Sequence, residues 1–133
     1  MLTIPTFVSA SKIDGLGVFT TSPVSAGAVV WRFNPLIDVL IRPAQLFGLP
    51  DHVVQFLNKY SYQDDELTLH IGVDNDRFIN HSYTPNVGPG LDGTRIALDD
   101  IPERAELTED YTENYPHSFL ALHGEFAGGV TVR

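Results

Sequence analysis

The sequence contains no cysteine, which excludes disulfide bridges and any zinc site built on thiolates. Basic residues are scarce: 8 Lys and Arg stand against 17 Asp and Glu, a formal net charge of -9. A field of that sign repels phosphate backbones, so direct nucleic-acid binding is not expected. It attracts instead a basic, lysine-containing protein or peptide. No apolar run approaches the ~20 residues that cross a bilayer. Residues Met1 to Pro5 show no basic region leading into an apolar one, so no membrane or secretory role is expected, and the setting read from the sequence is cytoplasmic (intracellular). His52, His70, His117 and His123 stand in no spacing with acids that suits a metal, and no metal site is assigned.

What is present suits one domain spanning residues 1–133. Hydrophobic content of 43% and charged content of 19% are ordinary for a globular chain. Short β-branched or aromatic runs, Val18 to Thr21, Val29 to Phe33 and Leu36 to Ile41, are punctuated by Ser22-Pro23, Ser25-Ala26-Gly27 and Asn34-Pro35. A helical insert is predicted at about residues 43–58, where Pro43 and Pro50 open two segments and Val53, Val54, Phe56 and Leu57 form an apolar stripe. Strand-like Tyr60 to Tyr62, Leu67 to Ile71, Thr94 to Leu98 and Glu106 to Thr108 follow. A tail covers about residues 112–133.

Three stretches could carry chemistry. Arg77-Phe78-Ile79-Asn80-His81-Ser82-Tyr83-Thr84-Pro85-Asn86 mixes short hydrogen-bonding side chains with apolar ones, which suits either a capped turn or a polar site set against a core. Gly15-Leu16-Gly17 suits a tight turn or a loop that approaches a ligand closely. It lacks the third glycine and the following helix of a dinucleotide fingerprint. Glu106-Leu107-Thr108-Glu109-Asp110-Tyr111 ends a predicted strand on a phenol, which either packs or orients an amine. Acids crowd residues 99–113, as a solvated face or as a rim around a cationic substrate's entrance.

In this order and spacing the three stretches resemble the SET-domain family of protein lysine methyltransferases, in the short, single-domain form without the Cys-rich zinc tail. The resemblance covers roughly residues 6–115. It implies a mostly β fold (β-clip or SET-like), with several small curved sheets, a short helical insert and a C-terminal knot-like crossing. It further implies S-adenosylmethionine as cofactor, S-adenosylhomocysteine as product, and a lysine amine of a basic protein as methyl acceptor. By motif position Gly15, Leu16 and Gly17 supply backbone contacts to the cofactor. Asn80 and His81 meet its amino-acid part and adenine side, and Arg77 and Phe78 shape its pocket. Tyr111 matches the catalytic tyrosine, and Tyr60, Tyr62 and Tyr115 are candidate walls of the substrate channel. Some short relatives close the site with a tail aromatic, for which Tyr115, Phe119 and Phe126 are candidates, and some pair as homodimers. The sequence departs from the pattern at Tyr83, where cysteine is usual, at Glu109, where an aromatic or apolar residue is common, and at Arg104-Ala105, which replace a glycine-acid pair. These departures leave a second reading open, a non-catalytic module that binds cofactor or peptide.

Overall fold

The computed structural model describes residues 1–64 and 66–114. Tyr115, His117, Phe119, His123 and Phe126 lie outside the described residues. The first two strands, β1 (Thr6–Ala10) and β2 (Leu16–Thr20), pair antiparallel from Thr6 opposite Thr20 to Ala10 opposite Leu16. The rings of Phe7 and Phe19, opposite one another in the register, stack across the pair at 5.5 Å. Their connection closes tightly, with Ser11 N donating to the Gly15 carbonyl at 2.8 Å. Gly15 sits at φ +46°, a left-handed conformation in which a side chain is strained.

The central sheet has five strands in the order β3-β9-β8-β10-β7. β9 (Arg95–Ala97) runs antiparallel to β3 (Val29–Trp31) on one side and to β8 (Val87–Pro89) on the other. β10 (Thr108–Glu109) then runs parallel to β8 on one side and to β7 (Asn80–His81) on the other. Residues 82–86 join β7 to β8, so β10 threads between two segments that are nearly continuous in sequence. This is the knot-like crossing. Val18, Val30, Ile79, Val87, Ile101 and Leu107 form the core around it, each at most 3% exposed. Burial on this scale contributes about 1.5–3 kcal/mol per large aliphatic side chain.

A third sheet, β4-β6-β5, pairs Asp38–Ile41, Leu69–Gly72 and Tyr62–Gln63 antiparallel. Helix α1 (Asp51–Tyr60) covers it, with Leu57 packed on Leu69 and Ile71. The insert is thus a 3₁₀ turn at Pro43–Leu46 followed by α1. Three details differ from expectation. Phe56 is 45% exposed, because Val53, Leu57 and Tyr60 follow the helical repeat and Phe56 falls beside their stripe. Tyr60 belongs to the helix rather than to a strand, and Leu67 adopts φ +66°, so the following strand starts only at Leu69. Tyr111 opens α2 (Tyr111–Asn114) instead of ending a strand, since the Asp110 carboxylate accepts from Thr112 N at 2.9 Å and caps the helical turn.

Candidate active site

Asn80 is 3% exposed, and its amide nitrogen lies among four oxygens. Nδ2 is 3.0 Å from the Leu16 carbonyl, 3.1 Å from that of Asp14, 3.1 Å from Ser11 Oγ and 2.9 Å from Glu106 Oε1. Two of these are carbonyls, which only accept, so the nitrogen must face them. Ser11 Oγ donates to the same Glu106 oxygen at 2.7 Å. Both amide protons are therefore spent on the 11–16 turn and on Glu106. Oδ1 makes no hydrogen bond with a described residue.

The turn and Asn80 border a small, partly open pocket of about 20 Å³. Gly15, Leu16, Phe78 and Asn80 reach its wall, so four of the predicted cofactor residues meet there. Tyr60 shares the wall, its ring edge-on to Phe78 at 5.4 Å. It therefore faces the proposed cofactor contacts. Asp14 and Lys59 complete the lining. Gly17, Arg77 and His81 do not line it. Gly17 lies under Glu106, where a Cβ would come within 2.2 Å of Oε1. Arg77 stands behind the wall, its guanidinium 4.6 Å from the Phe78 ring and donating to the Asp74 carbonyl at 3.0 Å. A larger hollow of about 300 Å³, lined by Phe7, Thr21, Glu103 and Arg104, holds none of the predicted site residues.

His81 serves the crossing. Its Nδ1 accepts the Tyr111 N–H at 3.1 Å, which places the proton of the neutral ring on Nε2. Burial pushes its pKa below the ordinary value, opposed by the Asp110 carboxylate and the Glu109 backbone. Tyr83 lies edge-on to His81 at 4.3 Å and is 71% exposed, so the departure at this position faces outward. Tyr111 is 5% exposed and donates its hydroxyl to the Ile79 carbonyl, one residue before Asn80. The phenol is thereby fixed with its proton engaged.

Glu109, 5% exposed, faces Arg95, whose Nε lies 3.7 Å from Oε1. Tyr62 is within electrostatic reach of this pair, and burial pushes its phenol well above the ordinary range. Its ring stacks on His70 at 4.6 Å, and His70 Nε2 lies 2.8 Å from Asp64. Tyr62 thus stands in the three-stranded sheet and not on the pocket wall. The acidic segment also divides: Asp99, Asp100 and Glu103 are exposed, whereas Glu109 and Asp110 are buried. Ser11, Asp14 and Lys59 were not foreseen. Ser11 had a legible signal in its place at the mouth of the glycine turn. Lys59 had none, because only the packing of α1 brings it there.

A pocket bounded by a glycine turn and an Asn-His strand, beside a buried tyrosine at a chain crossing, defines a SET-type fold and site. The chain belongs to the SET-domain family: the profile of the SET domain matches residues 15–112. Solved structures agree in fold. A Plasmodium falciparum protein provisionally named a histone methyltransferase superposes with a TM-score of 0.54 at 18% identity, over 83% of this chain and 95% of that one. A humanized mutant of the Chaetomium thermophilum Polycomb Repressive Complex 2, bound to the inhibitor GSK126, gives 0.61 at 20% identity. That alignment covers 90% of this chain and 16% of the longer one. Among curated proteins no sequence match is found.

Proposed function

We propose that the protein is an S-adenosylmethionine-dependent protein lysine methyltransferase. The observation that carries this reading is Tyr111, buried at the crossing and bonded to the Ile79 carbonyl beside the Asn80 pocket. The pocket chemistry fits the amino-acid end of the cofactor. Asn80 Oδ1 is an acceptor suited to an ammonium, and the backbone at Gly15 and Leu16 is open to close approach. At about 20 Å³ the enclosed space is on the scale of one water molecule, so a head group would sit at its open mouth and a nucleoside outside it. When bound, the cofactor supplies a methyl group activated by its sulfonium.

The chain has two tasks in such a transfer. It must favour the neutral form of a lysine whose ordinary pKa is about 10.4, which an apolar, water-poor channel does. It must also hold the amine in line with the methyl carbon. Tyr111 suits the second task. Its hydroxyl is held by the Ile79 carbonyl, and a phenol oxygen held in place is a group that orients an amine N–H. The net charge of -9 and the exposed Asp99, Asp100 and Glu103 favour a basic protein segment as substrate.

Calorimetry with S-adenosylmethionine and labelled-methyl transfer to lysine-rich proteins test the reading together. Tyr111→Phe should slow transfer by about 10²-fold or more, the low end for a positioned acid-base group, and leave cofactor affinity nearly unchanged. Absence of cofactor binding at millimolar ligand, or full turnover by Tyr111→Phe, would overturn it. One observation favours the second reading, a binding module without transfer. Glu109 is a buried carboxylate two residues before Tyr111, and a carboxylate near a lysine holds the amine protonated. Arg95 opposes that effect at 3.7 Å. Under this reading cofactor or peptide binds and no methyl moves.

A further inference from the structure

We propose that Asp14 and Lys59 read the two charges of the cofactor's amino-acid head, Lys59 its carboxylate and Asp14, together with Asn80 Oδ1, its ammonium. The inference rests on the cofactor reading above. Two charged residues line the pocket, of opposite sign and from separate parts of the chain. Asp14 is delivered by the glycine turn, and Lys59 by the last turn of α1.

Neither charge is used by the fold. Asp14 enters the turn through its backbone, its N–H toward Ser11 Oγ at 3.4 Å and its carbonyl toward Asn80 Nδ2 at 3.1 Å. Among the described residues its carboxylate has no hydrogen-bond or ion-pair partner, and neither has the Lys59 ammonium. Lys59 Nζ lies 5.3 Å from the centre of the Tyr60 ring, which belongs to the same pocket wall. That contact draws the ammonium along the wall while leaving its donors available. A lysine in a last helical turn also suits the helix dipole. That bland account explains the residue type, but it predicts no effect on ligands.

A pocket with an acid on the glycine turn, an amide oxygen on β7 and a base on α1 matches a zwitterion better than a single charge. Discrimination by charge follows. Removing the base should hurt ligands that carry the carboxylate, and removing the acid should hurt ligands that carry the ammonium. Both residues are exposed, so substitutions there leave the core intact.

The experiment is calorimetry with S-adenosylmethionine, its decarboxylated form and 5′-methylthioadenosine, which carries neither charge of the head. Lys59→Met should weaken S-adenosylmethionine about threefold to tenfold and the decarboxylated form less than about twofold, the scale of a partly exposed ion pair. Asp14→Asn should weaken both by a similar factor and spare 5′-methylthioadenosine. The affinity for S-adenosylmethionine should also fall with added salt in the native protein, and less so in Lys59→Met. Substitutions that shift all three ligands alike, or none of them, overturn the assignment of the two charges. Failure of the native protein to bind any of the three removes the cofactor reading and this inference with it.

Discussion

At residue 17 the absence of a side chain is what lets the site close. Glu106 Oε1 occupies the place a Cβ would take, and that one oxygen accepts from both Ser11 and Asn80. A methyl group there would meet the end of a side chain, which ordinarily swings aside cheaply. Here swinging aside breaks two hydrogen bonds to a carboxylate, each worth roughly 1.5–3 kcal/mol. Gly17→Ala should therefore destabilise the fold by about 2–4 kcal/mol in a urea melt. In a Glu106→Ala background the same change should cost less than about 1 kcal/mol, because the obstacle is gone and the bonds are already lost. Equal costs in the two backgrounds would show that Glu106 is not the partner that matters. Gly15 differs in kind, since nothing lies within 4 Å of its missing Cβ and its left-handed φ is the constraint.

Among the elements, the crossing depends on Asn86. Its Nδ2 donates to the Glu106 carbonyl at 2.8 Å, and its Oδ1 accepts the Thr108 N–H at 2.8 Å. These bonds continue the pairing of β10 where the segment joining β7 to β8 has no strand partner of its own. Asn86→Ala leaves a donor and an acceptor of β10 unmet and should cost about 2–4 kcal/mol in chemical denaturation. Asn86→Asp keeps the acceptor and loses the donor, so it should fall between. A neutral Asn86→Ala would mean that the pairing to β7 and β8 alone secures β10. The same elements mark what the sequence could and could not disclose. α1 was legible from the stripe of Val53, Val54, Phe56 and Leu57, of which Val53 and Leu57 join the packed cluster. β2 was legible from the β-branched and aromatic run at Val18 to Thr21, whereas its pairing with β1 was not. β7 and β10 have two residues each, too short for any alternation to register, and they are strands only because each finds the other. A strand was predicted at Glu106 to Thr108, which overlaps β10 at Thr108, whereas the place of β7 was readable only through the resemblance of motifs. Of the pocket, Gly15, Leu16, Phe78 and Asn80 lay in those motifs. Lys59 and Tyr60 did not, since the angle at which a helix docks is set by packing across the whole chain.

For the molecule as a whole, the excess of acid reaches inside the fold and should govern its response to pH. Gly72 lacks a Cβ where three carboxylates converge: Asp74 and Asp76 oxygens would each lie 3.0 Å from it, and Asp38 3.4 Å. The Met1 ammonium, 2.8 Å from Asp38, offsets part of this charge. Burial, with Glu109, Asp74 and Asp38 as like charges, pushes Asp76 up to about 7 against the opposing Met1 ammonium. The unfolded chain ionises this residue near 3.8. Between those values the folded state holds a proton that the unfolded state has released, so the contribution to stability is full at low pH and is lost as pH rises to about 7. His81 acts in the opposite sense. Its depressed pKa gives a contribution that is present above about 6.5 and lost as pH falls through the lower folded value. Protonation of Nδ1 would also break the bond from Tyr111 N. The native stability curve mixes the two, but a comparison with Asp76→Asn separates them, because His81 titrates in both proteins. Urea melts at a series of pH values should show the variant gaining on the native protein from about pH 4 to 7, with the gap level above that. A gap that stays constant across this range would place the Asp76 proton release outside the folding equilibrium.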